Sequence, residues 1–261
     1  ERMTKKANYF FITTAILLAA VMPMKSVMAE SSEIQGSGKV DLKASETSPI
    51  QDPEDPITSV DPNNVVASKG ELRIDYASKV SFGKVNISDG EKKIPALAET
   101  FKTSKIKRGQ FVQVTDQSGA SSGWTLQVKQ AKQFETKAEG DKKSHILKGA
   151  YLSFDKAWAN SGGESEAPSV TRDTLGINSF DTAYEVASAK KGSGVGIWSL
   201  AFGASETNES GQPSTLREVA NSTGEKEVVN SAITLNIPKE TTIEPGEYTT
   251  ELVWIIGALP E

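Results

Sequence analysis

Four tryptophans, one histidine and no cysteine set the chemical repertoire of this chain. A lone His and no Cys leave ordinary zinc centres and Cys-His or Ser-His-Asp relays short of parts. His145 sits in the polar run Asp141-Lys142-Lys143-Ser144-His145 and reads as a surface side chain. Acidic residues are abundant, but no spacing makes two of them converge as a glycoside-hydrolysing pair must. Gly192-Ser193-Gly194-Val195-Gly196 lacks the Gly-Lys-Ser/Thr ending of a phosphate loop and leads into a strand, so it is expected to ease a turn. No catalytic residue, metal site or cofactor is therefore expected.

The tryptophans carry more information. Trp124, Trp198 and Trp254 each have an aliphatic residue two positions on: Leu126, Leu200 and Ile256. Spacing two puts each pair on one face of a strand. Buried, such indoles pack a core and give their N–H to a carbonyl. Exposed, they form a stacking surface for the C–H face of a pyranose or an N-acetyl methyl group, with Gln113, Gln127 and Asn236 as possible flanking donors. Both readings stay open. Trp158 lies beside a polar loop and is expected to be partly exposed.

The elements that must position these residues are strands. Tyr248 to Glu261 form the clearest one, with Tyr248, Thr250, Leu252, Trp254 and Ile256 on one face and Pro245-Gly246 as the turn before it. Alternation also predicts strands at Leu72–Tyr76, Val80–Phe82, Val85–Ile87, Phe111–Thr115, Trp124–Val128, Ala150–Phe154, Val195–Phe202 and Ala232–Ile237. Helical periodicity is weak, and Thr215–Val219 is the best of few candidates. Residues 159–169 and 205–214 are long polar loops. The pattern predicts an all-β fold, an antiparallel-rich β-sandwich of many short strands.

Lys5 and Lys6, the apolar run Tyr9 to Val21 and the small-residue site Val27-Met28-Ala29 predict a signal peptide over 1–29. Residues 30–69 hold Pro49, Pro53, Pro56 and Pro62 among acidic and small residues, and are expected to be a disordered linker before a domain at 70–261. Without residues 1–29, which carry Arg2, Lys5, Lys6 and Lys25 against Glu1, 25 basic and 33 acidic residues remain, a net charge of −8. That balance argues against nucleic-acid binding and against electrostatic adhesion to anionic wall polymers. The end of the chain shows neither a hydrophobic tail nor a Leu-Pro-x-Thr-Gly sorting signal, so a non-covalent hold on the surface is expected.

The end of the chain, Tyr248-x-x-x-Leu252-x-Trp254-x-x-x-x-x-Pro260, together with Trp124-x-Leu126, resembles the WxL domain of Gram-positive surface proteins. It departs at Ile256, where that family usually has Leu. The resemblance covers about residues 70–261. It implies a secreted protein bound non-covalently to the cell wall through peptidoglycan, with a membrane-anchored surface protein as partner and a host matrix protein as a further possible one. The alternative it leaves is a structural or adhesive component held in a surface complex by a protein partner. It assigns the motif role to Trp124, Leu126, Trp254 and Ile256, and not to Trp198 and Leu200. Because aligned apolar strips gain most as cross-strand pairs, the strands of Trp124 and Trp254 are expected to be neighbours.

Overall fold

A computed structural model describes residues 45–87, 90–119, 122–137 and 143–260. The expected signal peptide and the first part of the expected linker lie outside these residues. The described chain forms fifteen strands and no helix. In order they are β1 Leu72–Ala77, β2 Lys92–Leu97, β3 Glu99–Thr100, β4 Lys107–Arg108, β5 Gln110–Asp116, β6 Trp124–Thr136, β7 Tyr151–Phe154 and β8 Ala157–Asn160. Then follow β9 Ser169–Val170, β10 Leu175–Ile177, β11 Tyr184–Ala189, β12 Gly196–Phe202, β13 Leu216–Ala220, β14 Lys226–Ile237 and β15 Tyr248–Ala258.

Three antiparallel sheets share one core. Their orders are β1-β5-β12-β8, then β10-β7-β14-β13 with β2 also on β14, then β15-β6-β11-β9. Ile74, Val112, Val114 and Leu200 come from the first sheet, Leu152, Phe154, Ile233 and Leu235 from the second, and Trp124, Leu126 and Val128 from the third. The expected all-β sandwich is thus present, enlarged by a third sheet. Period-two patterning explains the packing: in β6, residues 124, 126, 128 and 130 are buried and the residues between them are partly open.

Some expectations need correction. Leu216–Ala220 is a strand paired to β14, not a helix. The Asn221 side chain accepts from the backbone N–H of Thr223 and Glu225, and Gly224 takes φ +83°, so a tight turn folds the segment back on its neighbour. Residues 80–87 alternate as a strand should, yet they join no ladder. The polar stretch 159–169 gives its first two residues to β8 and its last to β9. Trp158 is buried at 3% exposure, its indole N–H donating to the Gly203 carbonyl at 2.9 Å.

The largest correction concerns residues 45–69. The domain does not begin near Gly70: residues 45–62 lie over the outer face of the first sheet as a strap. Ile50 joins Tyr76, Phe101, Phe111, Trp158, Ala201 and Ala204 in a second, smaller core. Asp52 and Glu54, two of the acids that suggested a solvated linker, have partners. Both Asp52 carboxylate oxygens accept from Arg108, each at 2.7 Å, and Glu54 accepts the Ser205 backbone N–H. A bidentate, largely desolvated pair of this kind holds geometry as well as charge.

Tyr76 beneath the strap donates its hydroxyl to Glu99 at 3.0 Å. Burial, and then the Glu99 carboxylate, push its pKa well above the ordinary phenol value of 10.0. The folded value exceeds the unfolded one, so this contribution is complete below about pH 10 and is lost as pH rises beyond it. Urea midpoints should fall above about pH 10 in the native chain, and less steeply in Tyr76→Phe. Equal alkaline slopes in the two proteins would show that Tyr76 does not carry the effect.

Candidate functional site

The two motif strands are neighbours, as expected, although 130 positions separate Trp124 from Trp254. β15 pairs antiparallel with β6 along its whole length, with Ile256 opposite Leu126, Trp254 opposite Val128 and Ala258 opposite Trp124. The rings are therefore not partners. They stand four ladder positions apart, roughly 13 Å along the strand, with the Leu126–Ile256 pair between them.

Each ring has its own socket. Trp124 and Leu126 are 0% exposed. The Trp124 indole N–H donates to the Gly194 carbonyl at 3.1 Å. Gly194 takes φ +68°, and a β-carbon there would lie 2.8 Å from the indole nitrogen and 2.6 Å from the Ala189 side chain. The glycine-rich segment is thus the wall and hydrogen-bond acceptor of the Trp124 socket, a role that its composition did not reveal. A backbone bond from Leu259 N–H to the Gly123 carbonyl, 3.0 Å, fastens the end of β15 beside the same ring.

Trp254 stands where the three sheets meet. Its ring centroid lies 6.2 Å from Phe154 of β7 and 6.2 Å from Phe202 of β12, while those two rings are 5.0 Å apart. One aromatic from each sheet closes the triangle, in edge-on or tilted contacts of the favourable kind. Trp254 and Ile256 are only half-buried. Trp254 is left partly open by a groove of about 870 Å³ along the inner side of β15, bordered by Phe82, Phe134, Leu235, Tyr248, Leu252 and Trp254.

Of the expected flanking donors, Gln113 is fully buried and bonded to Pro49, Gln51 and Asp75, and Asn236 is buried against Ser153. Gln127 alone stays accessible, on the outer face of the sheet opposite Ile255. Thr125 and Val253 point the same way by alternation, and Ile255 is 37% exposed. His145 is half-buried, with Nε2 at 2.9 Å from the Thr242 carbonyl.

No curated protein and no solved structure matches the chain. The family model described as "WxL domain surface cell wall-binding" matches residues 29–260. That span takes in the strap as well as both motif strands, so the chain belongs to the WxL family of cell-wall-binding surface domains, and its place is the cell surface.

Proposed function

We propose that this domain holds the protein on the wall by binding peptidoglycan non-covalently, without catalysing a reaction, after removal of a signal peptide ending at Ala29. The motif residues Trp124, Leu126, Trp254 and Ile256 act from within: they lock β15 onto β6 and so build the surface that meets the wall. The observation that carries this reading is the complete burial of Trp124 and Leu126, which leaves no indole face at that motif for a sugar. The surface so built is the outer face of β15, β6 and β11. There Gln127 and Thr125 offer amide and hydroxyl groups beside the aliphatic Ile255 and Val253. A glycan bearing N-acetyl groups presents the matching mixture of hydroxyls, amides and methyls.

The test uses purified sacculi stripped of protein and of anionic polymers. The native chain should be retained without release of muropeptides. The double variant Gln127→Ala, Ile255→Ala should lose at least about tenfold in retention, the scale of one or two lost contacts at a binding centre, while its melting temperature stays close to native. Unchanged retention in that variant would remove this face from the reading. A protein partner, whether membrane-anchored or from a host matrix, is the second reading. It is favoured by the open edge of β15 described next.

A further inference from the structure

We propose that the groove beside β15 is a strand-acceptor site, filled by an extended segment of a protein partner with large apolar residues at every second position and Lys or Arg on its other face. This rests on the partner reading above and not on wall binding.

The groove is an unfinished part of the core. Sandwich interiors pack as densely as organic crystals, yet here about 870 Å³ lies open between sheets. Tyr248, Thr250, Leu252, Trp254 and Ile256 all face inward from β15, and none is fully buried. Trp254 borders the groove, and its indole N–H, alone among the four tryptophans, has no acceptor among the described residues.

The groove also runs beside a free backbone edge. β15 is the first strand of its sheet and eleven residues long. Among the described residues, no backbone group from Thr249 to Gly257 bonds beyond the ladder with β6. The other bordering edge, on β1, is capped: the Ile74 carbonyl accepts from the Ser68 N–H, and the Ile74 N–H donates to the Ser68 hydroxyl. Exposed edges are normally blunted by charge, proline or cover, and Leu252-Val253-Trp254-Ile255-Ile256-Gly257 carries neither charge nor proline. An acyl chain would fill the volume and leave the N–H and C=O row unmet. A peptide strand meets both, which is the pattern of recognition by strand addition.

Charge selects the partner. Glu247 and Glu251, at and near the start of β15, pair with no cation among the described residues. A strand laid against β15 brings its outward side chains beside them, so basic residues there gain attraction and acidic ones meet repulsion.

The test measures amide hydrogen exchange of the full chain with three synthetic probes: the alternating peptide KVKIKVKIK, a control with the same residues in two blocks, and the acidic EVEIEVEIE. The basic alternating peptide should slow exchange at alternate amides of Thr249 to Gly257. Charge reversal at two exposed positions, Glu247→Lys with Glu251→Lys, should weaken it by roughly tenfold or more and bring the acidic peptide to the site. Absence of protection on β15 would overturn the proposal. So would equal protection by the block control, or affinity indifferent to the reversal. Dodecanoate binding in the groove while neither alternating peptide protects the edge would also overturn it, and would assign the groove to an acyl chain. Sacculus retention is read in parallel, so loss of wall binding and loss of strand binding are distinguished.

Discussion

Trp124→Ala should destabilise the domain by about 3–5 kcal/mol, the range for emptying a large aromatic site in a packed core. The side chain is 0% exposed and its neighbours are not free to collapse. Gly194 and Ala189 belong to a segment whose backbone path is set by close approach to the ring, and Leu126 and Val128 are fixed in the β6 ladder. Trp124→Phe keeps much of the volume but leaves the Gly194 carbonyl without its donor, and should cost about 1–3 kcal/mol. Urea unfolding with unchanged m-values would measure both. A Trp124→Ala protein that loses less than about 1 kcal/mol while losing sacculus retention would show that the ring acts at the wall and not in the core. Coupling should also follow the register. Leu126 and Ile256 face each other, and their double-mutant cycle should give about 0.5–3 kcal/mol. Trp124 and Trp254, four positions apart, should be additive to within about 0.3–0.5 kcal/mol.

Much of this arrangement was legible in the residues. Period-two alternation found most of the long strands, because one face of each is buried and the pattern survives whatever the partner. Adjacency of the motif strands followed from matching apolar strips. Register did not follow, because it depends on the bulges between Thr249 and Leu252, which leave no local mark in composition. Trp198-Ser199-Leu200 has the motif spacing but lies in β12, away from the motif pair, so the spacing alone does not locate the site. Residues 80–87 show the converse. Their alternation is that of a strand, yet the bond from Leu97 N–H to the Ser81 carbonyl, 2.7 Å, is not extended into a ladder. Short polar strands such as β9 and β13 were missed because edge pairing, not burial, holds them.

The same limit explains β1 and leads to the second large effect. Leu72-Arg73-Ile74-Asp75-Tyr76 alternates as though Arg73 and Asp75 face solvent. They face away from the main core, but the strap covers them, leaving the two side chains 1% and 4% exposed and 2.8 Å apart. Alternation reports two faces and cannot say that the second one is covered by a segment rich in Pro and Asp. Arg73 also donates to the Gly70 carbonyl and to Ser48 of the strap, while Asp75 accepts from Gln113 and Thr115. Arg73→Ala therefore leaves a buried carboxylate without its cation and should cost about 3–5 kcal/mol. Asp75→Ala should do the same from the other side. The double variant should be less unstable than the sum of the two, because neither charge is then stranded. Thermolysin cleavage near Ile50 gives an independent readout. It should accelerate in Arg73→Ala, since the strap loses the hydrogen bond at Ser48 and the charged floor beneath it. If Arg73→Ala costs under about 1 kcal/mol and the strap stays protected, then Ile50 and the Asp52–Arg108 pair hold the strap without help from β1, and burial of the Arg73–Asp75 pair follows from the strap instead of fastening it.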